Sequence, residues 1–520
     1  MDRIQEPKLY AEVLLEKCAA FIREQRWTIR GSLTAAFLAY IYMFANKLPN
    51  HDELYAMFSK GTTMSSGRWG LDLLSWVFPN VSVPWLYGVV SVLLLTLACC
   101  LITRIFKIRN CVLQALLGGL ILVFPSQIAT FTFMFTASAY AVAFLLAVAT
   151  VSFLIRFDKK SVLLAALCFI GSLSIYQAYL SVTVSLLLLY LFFELLEDRQ
   201  NEMQIFRKGI GCVLFLVASM AAYYGLTKLM WHVSGQQMGQ YATEAFALDP
   251  ASLLTSVKKA YAAFYNILRY RMYGLVLSRK ALLLYGILFG LTIFGLIFRL
   301  AADRKRIGKI ALMLFLLGLL PLGICSMYLL FSGEAIHTLV LYSFIALYVL
   351  FAGMADNFLR SGSGAMGKLL PLGAEAAALV MAVILAGNIF IANKAYLYMH
   401  MSYENTYFYS TAILTQLQDT PGYSQDAKVA IIGTYTDPDY IWANFDDLRS
   451  LVGVSSLSPN AYSIDGFFEH YNGISLNLVS GEDAARIQAT EEFAQMPCYP
   501  DTGYIQTIGD TIVIKLSENP

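Results

Sequence analysis

The sequence predicts an all-α polytopic membrane protein that ends in a small soluble α/β domain. Of its 520 residues, 58% are hydrophobic and only 14% are charged, whereas an ordinary globular chain carries about 25% charged residues. The mean hydropathy is +0.60. Apolar runs of about 17 to 25 residues, long enough to cross a hydrocarbon core as a helix, recur along the first three-quarters of the chain. The tail that follows them is polar enough to fold in water.

Eleven apolar runs are candidates for transmembrane helices. Because only helices satisfy the backbone inside lipid, the membrane part is expected to be helical throughout. The net charge of +2 is too small to suggest a nucleic-acid partner. The predicted spans are approximately 29–46, 84–103, 111–128, 134–155, 161–176, 178–196, 210–231, 281–298, 310–330, 337–354 and 371–392.

The short loops alternate between basic and uncharged, which predicts the orientation of the chain. Lys and Arg collect on the cytoplasmic side of membrane proteins. The turns near Pro125, Tyr176 and Gly333 hold neither residue type and are expected to face outward. The basic loops lie near 104–109, 156–160, 199–208 and 299–309. The pattern therefore predicts a multi-pass plasma-membrane protein with a cytoplasmic N-terminus and an extracytoplasmic C-terminus.

This topology divides the chain into three parts. Residues 1–28 are predicted to be a cytoplasmic N-terminal segment, and residues 29–393 to be the transmembrane domain. That domain carries two long outer loops, 47–83 and 232–280. Residues 394–520 are predicted to be an extracytoplasmic soluble domain.

Local patterns predict elements in the outer segments. Residues 250–277 begin with a proline and alternate apolar and basic residues at helical spacing, as an interfacial amphipathic helix does. In the tail, residues 428–433 have the composition of a strand and residues 481–496 that of a helix. Residues 503–516 are predicted to form a hairpin that turns at Gly509 and Asp510.

His51, Asp52 and Glu53 follow the first predicted span and are the main candidates for a reactive site. Ionisable groups at membrane depth are costly and usually face a cavity. A carboxylate at the headgroup boundary can take a proton from a sugar hydroxyl, and two adjacent acids repel each other's charge, which makes each a better proton acceptor. The alternative is that these acids are solvated, or lie in a helix that Asn50 caps.

The stretch LPNHDELYAMFSKGTTMSSGRWGLDLL, residues 48–74, resembles the Gtr-type bacterial glucosyltransferase family, within the GT-C superfamily of membrane glycosyltransferases. In that family an acidic pair follows the first helix, and a Gly-Arg step comes some fifteen residues later. Here these are Asp52, Glu53, Gly67 and Arg68. A second resemblance is a Tyr-Gln step at residues 176–177 that opens a helix at the outer face.

The resemblance implies an inverting glycosyltransferase that uses a polyprenyl phosphate donor in the outer leaflet. It would transfer a sugar, glucose in this family, to a cell-surface polysaccharide or glycolipid, as in O-antigen modification. Asp52 or Glu53 would be the catalytic base, and His51 would contact the sugar or the acceptor. A donor synthase and a flippase are the implied partners, and no cofactor is implied.

A departing phosphate needs positive charge nearby, and Arg68 is the first candidate because the arginine fork matches phosphate geometry. A salt bridge from Arg68 to Asp72, four residues on, is equally consistent with the spacing. The further candidates for the donor phosphate are the basic residues Lys258, Arg269 and Arg271. For the lysine, attraction to anionic lipid headgroups is the alternative.

Tyr176, Gln177 and Tyr270 are candidates for contact with the sugar or the acceptor. Hydrogen bonding between helices is the alternative for the first two, since polar residues in membrane helices often bond across helix pairs. A required metal ion is not expected. The run His51 to Glu53 contains ligand types for a divalent cation, but adjacent residues rarely point the same way.

Three other functions are less consistent with the same residues. A transporter or flippase of lipid-linked glycans would place polar groups near mid-membrane in broken helices, whereas here they lie mostly at the outer ends. A surface polysaccharide polymerase could share the helix count, but it leaves the acid pair unexplained. A noncatalytic anchor for the tail would not need eleven helices.

Overall fold

The computed structural model describes residues 10–58, 64–79, 81–237, 239, 253–270, 279–303, 306–330, 337–360, 369–434, 444–445, 448, 450–454 and 464–518. The helices are α1 (Tyr10–Glu24), α2 (Arg26–Ala45), α3 (His51–Ala56), α4 (Trp69–Leu74), α5 (Pro84–Ile105), α6 (Cys111–Leu122), α7 (Pro125–Thr130), α8 (Met134–Leu154), α9 (Lys159–Ile175), α10 (Leu180–Leu196), α11 (Glu202–Ser234), α12 (Leu253–Tyr270), α13 (Arg279–Ala302), α14 (Ile307–Ile324), α15 (Ile345–Arg360), α16 (Leu369–Gln418), α17 (Ile464–Phe467), α18 (Gly481–Gln488) and α19 (Glu491–Gln495). The strands are β1 (Lys428–Ile432), β2 (Asn477–Leu478), β3 (Ile505–Ile508) and β4 (Thr511–Lys515).

Nine helices in the described ranges are long and apolar enough to cross a membrane, which fits a multi-pass membrane protein. They are α2, α5, α8, α10 with the turn before it, α11, α13, α14, α15 with the turn before it, and α16. The other two predicted spans, 111–128 and 161–176, correspond to the 12-residue α6 and the 17-residue α9. The total of eleven crossings stays a prediction.

The predicted span 111–128 is interrupted where α6 ends and Pro125 begins α7. A helix end at membrane depth leaves carbonyl groups that need partners. Buried tyrosines supply them: the hydroxyl of Tyr40 donates to the carbonyl of Leu122 at 2.7 Å, and that of Tyr342 to Ile121 at 2.9 Å. These bonds explain how the helix can stop inside the bundle.

Helix α2 lies at the centre of the first part of the bundle and packs against α5, α6 and α16. A Cβ atom added at Gly31 would lie 2.1 Å from the carbonyl oxygen of Ala115, so the α2 and α6 backbones are in direct contact. Helix α8 packs against α5 and α9. The end of the bundle where α2 ends and where α5 and α8 begin also carries α3, and we call it the α3 end.

The amphipathic segment predicted at 250–277 is helical over Leu253–Tyr270, as α12. Ala260, Ala263 and Ile267 are buried, which places the apolar side chains on one face at helical spacing. This helix packs against α14 and the turn Ser326–Leu329.

An ionic cluster occupies the end of the bundle opposite to α3. The Lys309 side chain is 0% exposed and lies 2.9 Å from Asp198 and 2.6 Å from Asp303. Burial opposes ionisation of Asp198, but hydrogen bonds from Lys309 and Arg306 outweigh this effect and lower its pKa below the ordinary value. The buried ammonium is therefore matched by two carboxylates, as a buried charge requires.

Helix α16 is the longest element and continues past residue 394, where the sequence predicts the tail to begin. Its 50 residues span about 75 Å at 1.5 Å per residue, more than twice the thickness of a hydrocarbon core. Its last turns enter a second core, in which Ile413 and Leu417 pack with Val429 and Ile512 of the sheet. The helix thus joins the bundle to the C-terminal domain.

The C-terminal domain contains the predicted α/β elements. Its sheet has the order β2-β1-β4-β3, with β1 parallel to β2 and β4, and with β3 antiparallel to β4. The strand predicted at 428–433 and the hairpin turning at Gly509 and Asp510 are confirmed. The predicted helix 481–496 is two helices, α18 and α19, because Thr490 caps a new helix by accepting from the Phe493 amide.

Candidate active site

The acid pair lies in the first turn of α3, shortly after α2 ends. Asn50 precedes the helix, and its side-chain oxygen accepts from the Glu53 backbone N–H at 2.8 Å. The capping interaction considered as an alternative is therefore present. Carboxylates in a first turn also interact favourably with the helix dipole.

Glu53 is buried, with 1% of its surface exposed, and its carboxylate is held from three directions. Oε1 accepts from Lys47 Nζ at 2.5 Å and from the Ser82 hydroxyl. Oε2 accepts from the Met134 backbone N–H at 2.9 Å. Since Met134 is the first residue of α8, this carboxylate also satisfies an amide that the helix itself leaves without a partner. Glu53 therefore fixes α3 against α8.

Asp52 is in a different environment from its neighbour. Its side chain is 41% exposed, and Oδ1 lies 3.2 Å from Nε2 of His51, which is 24% exposed. Of the two acids, Asp52 is therefore the one whose carboxylate is accessible at the surface of α3. Within the described ranges, no group of three or more His, Cys, Asp or Glu side chains is arranged to hold a metal ion.

Three of the residues singled out from the sequence, Arg68, Tyr176 and Gln177, meet near the N-terminus of α4. Arg68 Nη1 donates to the Tyr140 hydroxyl at 3.2 Å, and Nε donates to Gln177 Oε1 at 3.4 Å. The guanidinium carbon is 5.3 Å from the ring centre of Tyr176, and that ring stacks on Tyr140 at 4.2 Å. The arginine charge is thus held between two helices and an aromatic stack.

The chain before Arg68 is held by side chains from other helices. Gln177 Nε2 donates to the Ser66 carbonyl and to the Tyr223 hydroxyl, both at 3.0 Å, and that hydroxyl donates to the Gly67 carbonyl at 3.0 Å. Gly67 has a φ of +75°, and a Cβ atom there would lie 3.3 Å from the Tyr223 hydroxyl. The backbone conformation favours glycine at this position, and any larger residue would also place its Cβ in tight contact with the Tyr223 hydroxyl.

Helix α8 contacts both groups of residues, the acid pair through Glu53 and the second group through Arg68. Glu53 binds its first residue, Met134, and Arg68 binds Tyr140, six residues later. Six residues rise about 9 Å along a helix. Glu53 and Arg68, fifteen positions apart in sequence, are therefore anchored to one helix less than two turns apart.

The candidates in the second outer segment lie on or beyond α12. Lys258 and Arg269 are exposed, and the Arg269 guanidinium contacts the ring of Tyr265. Arg271 and the side chain of Tyr270 lie outside the described residues. Their assignment to the donor stays a prediction.

The C-terminal domain also reaches α3. A Cβ atom at Gly466 would lie 3.0 Å from the Leu54 carbonyl oxygen, and Phe467 packs against Leu54 and Tyr471. Burial, with contributions from Tyr403 and Glu53, raises the pKa of the Tyr471 hydroxyl above its ordinary value. That hydroxyl is buried and has no hydrogen-bond partner within the described part of the chain.

Sequence reasoning did not identify several residues of this site. Lys47 lies six positions before Glu53, and this proximity in sequence was a signal that it could be the counter-charge. Nothing in the sequence marked Tyr140, Tyr223 or Tyr471, because the contacts that make them relevant come from separate helices and from the C-terminal domain. The same holds for Ser82.

Comparison with protein families identifies the chain. The family model described as glucosyl transferase GtrII matches residues 41–350, more than half of the sequence. The chain belongs to the GtrII family. Comparison with curated proteins gives no significant match. Family membership confirms the Gtr-type resemblance and makes this protein a glucosyltransferase.

Most of the candidate residues lie within the range that matches the GtrII family model. This range contains the acid pair, Arg68, and their partners on α8 and α11. Tyr471 and the rest of the C-terminal domain lie beyond it. The family match therefore covers Asp52, Arg68 and their contacts, but not the segment around Phe467 that packs on α3.

Proposed function

We propose that this GtrII glucosyltransferase is an inverting enzyme of the GT-C type that transfers glucose from a polyprenyl phosphate donor to a cell-surface glycan. The α3 end of the bundle is the extracytoplasmic side in this proposal. The family match supports the reaction. The loop charges support the side, because the basic residues lie at the opposite end of the bundle. Membership of a glucosyltransferase family favours this function over a transporter or flippase. The acid pair after the first helix, which a polymerase leaves unexplained, favours it over a polymerase.

Asp52 is the proposed catalytic base, and Glu53 is a positioning residue. The observation that carries this assignment is the contrast between them: Asp52 is 41% exposed, whereas the oxygens of Glu53 already accept three hydrogen bonds. A base must come within hydrogen-bond reach of the proton that it takes. Asp52 can approach an acceptor hydroxyl without breaking contacts of the buried network.

In the proposed reaction, Asp52 takes the proton of an acceptor hydroxyl, and the acceptor oxygen attacks the anomeric carbon of the donor. The bond between that carbon and the phosphate oxygen breaks, and the phosphate leaves with the electron pair on the opposite face. The configuration at the anomeric carbon is inverted. No metal ion is required by this scheme.

Arg68 is proposed to stabilise the charge that develops on the leaving phosphate. A guanidinium is matched to phosphate geometry, and its effect is larger where water is excluded. Tyr140 and Gln177 hold its orientation through the bonds described above. Gln177 and Tyr223 then act as positioning residues for residues 66–68, which carry the arginine.

The C-terminal domain is proposed to contribute to acceptor binding. Its segment around Phe467 packs on the same short helix that carries Asp52, so it forms a wall beside the proposed base. The Tyr471 hydroxyl is buried and lacks a hydrogen-bond partner among the described residues, so it can bond a sugar hydroxyl once this segment moves away from α3. Aromatic rings packed around it offer apolar faces to a sugar ring.

The decisive experiment is transfer by membranes that contain the Asp52→Asn variant. Radiolabelled polyprenyl phosphate glucose is the donor, and surface glycan extracted from cells lacking the enzyme is the acceptor. Loss of a general base lowers turnover about 10²- to 10⁴-fold, and we expect a fall in this range. Glu404→Gln is the matched control, since Glu404 is also exposed and lies at the same end of the bundle, on α16. Transfer at the native rate by folded Asp52→Asn protein would show that Asp52 is not the base.

A further inference from the structure

A cavity of about 310 Å³ lies at the end of the bundle opposite to α3. Arg104 and Lys107, at the end of α5, and Arg156, just after α8, contribute its basic side chains. The length of α8 separates it from Glu53 by about 30 Å. The cavity is therefore distinct from the proposed active site, and a ligand bound there would not contact the reacting groups.

The cavity contains more positive charge than its own carboxylate can neutralise. Its one lining acid is Glu194, whose side chain is 6% exposed. Glu194 accepts from Arg199 at 2.9 Å and from Gln200 at 3.0 Å, whereas Lys107 lies farther away, at 3.8 Å. Arg199 also pairs with Glu197, so Lys107 contributes to neutralising Glu194, and Arg104 and Arg156 are the lining cations in excess.

One competing explanation is that these cations only interact with the negative ends of α5 and α8. Such an interaction explains the sign of the charge but not an open cavity between the helices. Arg104 also lies 4.0 Å from Glu24, but both side chains are more than half exposed, so the pair is weak. The charges remain accessible to a ligand.

The uncharged part of the lining indicates what kind of anion fits. Leu101, Ile105 and Ile155 line the same cavity, and Leu101 lies about one turn farther inside α5 than Arg104. A free phosphate ion would gain nothing from these apolar side chains, whereas a phosphate attached to an acyl chain would bury that chain against them. The arrangement therefore suits an amphiphile.

We propose that this cavity binds the phosphate headgroup of an anionic phospholipid from the leaflet at that end of the bundle. The three basic side chains contact the phosphate, and the three apolar side chains contact the start of an acyl chain. Basic pockets between transmembrane helices are known to accept anionic headgroups on the cytoplasmic side. The loop charges predict that this end is the cytoplasmic one.

The test uses the full-length protein purified in a neutral detergent. Short-chain phosphatidylglycerol, phosphatidylcholine with the same chains, and inorganic phosphate are titrated separately, and bound ligand is counted by native mass spectrometry. We expect phosphatidylglycerol to bind more tightly than the other two. Arg104→Gln and Arg156→Gln should each weaken its binding about fivefold. Lys160→Gln, which removes an exposed charge from the same end but outside the cavity, should leave it unchanged.

Three results would each overturn the proposal. Equal phosphatidylglycerol affinity in the double Arg104→Gln, Arg156→Gln variant and in Lys160→Gln would show that the cavity is not the site. Inorganic phosphate binding as tightly as phosphatidylglycerol would show a site for a free anion instead of a lipid. If the glutamine variants fail to fold, Arg104→Leu tests the charge with an apolar side chain, and retention of native affinity by that variant would also refute the proposal.

Discussion

Replacing Glu53 with glutamine tests whether the buried carboxylate holds α3 in place. Its two oxygens accept three hydrogen bonds, two on Oε1 and one on Oε2. Glutamine keeps one acceptor oxygen, so its amide nitrogen must face either the Met134 N–H or the pair formed by Lys47 and Ser82. The first orientation breaks fewer bonds.

The cost follows from that orientation. A buried backbone N–H without an acceptor costs about 1–3 kcal/mol. The lost charge also weakens the pairing with Lys47, but this side chain is 29% exposed and can recover water, so the added cost is about 0–1 kcal/mol. We expect Glu53→Gln to lower the free energy of unfolding by about 1–4 kcal/mol.

Unfolding can be followed in detergent with a thiol-reactive dye, because Cys99, Cys100, Cys212 and Cys325 are buried in the native bundle. The dye reports these thiols as heat exposes them. Glu404→Gln is the matched control: its carboxylate is 57% exposed, 3.2 Å from His400, and its loss should cost no more than about 1 kcal/mol. Identical unfolding midpoints for wild type, Glu53→Gln and Glu404→Gln would refute the structural role of the buried carboxylate.

Three other predictions concern separate parts of the molecule. Gly67→Ala places a residue with a side chain in a left-handed backbone conformation, with its Cβ 3.3 Å from the Tyr223 hydroxyl. It should therefore displace Arg68 and raise the KM for donor in steady-state transfer. An unchanged KM would contradict this. Tyr471→Phe should raise the KM for acceptor glycan with little change in kcat, and Tyr504→Phe, which removes a buried hydroxyl from the distant sheet core, should change neither. The pKa of Asp198 in the folded protein is lowered from 3.8, so its stabilising contribution is present above that pH and is lost as the pH falls below it. Asp198→Asn should therefore make the unfolding midpoint less dependent on pH in this acid range. An unaltered dependence would exclude this carboxylate as a source of acid destabilisation.

Local patterns were sufficient to predict much of the fold. The hairpin at Gly509 and Asp510 was identified because turn residues separate two apolar strands, and both signals lie within a few positions. The membrane helices followed from the length of their apolar runs. The break before Pro125 was missed, because an apolar run does not indicate that buried tyrosines from distant helices will satisfy the free carbonyl groups.

The site was predicted in part, for a similar reason. Asp52, Glu53 and Arg68 were found from a short stretch and its family resemblance. The division of roles between the two acids was not accessible, since their environments differ only after Lys47 and Ser82 close on Glu53. Contacts from residues far apart in sequence depend on the packing of the whole bundle, and one sequence does not specify them at the level of side chains.

The 50-residue length of α16 restricts how the protein can move. Tyr396 and Met399 belong to the core of the bundle, and Ile413 and Leu417 belong to the core of the sheet. An unbroken helix joins them, so the sheet cannot swing as a separate flap about a hinge in this connection. A rearrangement that admits a bulky glycan must instead occur inside one of the two cores, or tilt both of them together.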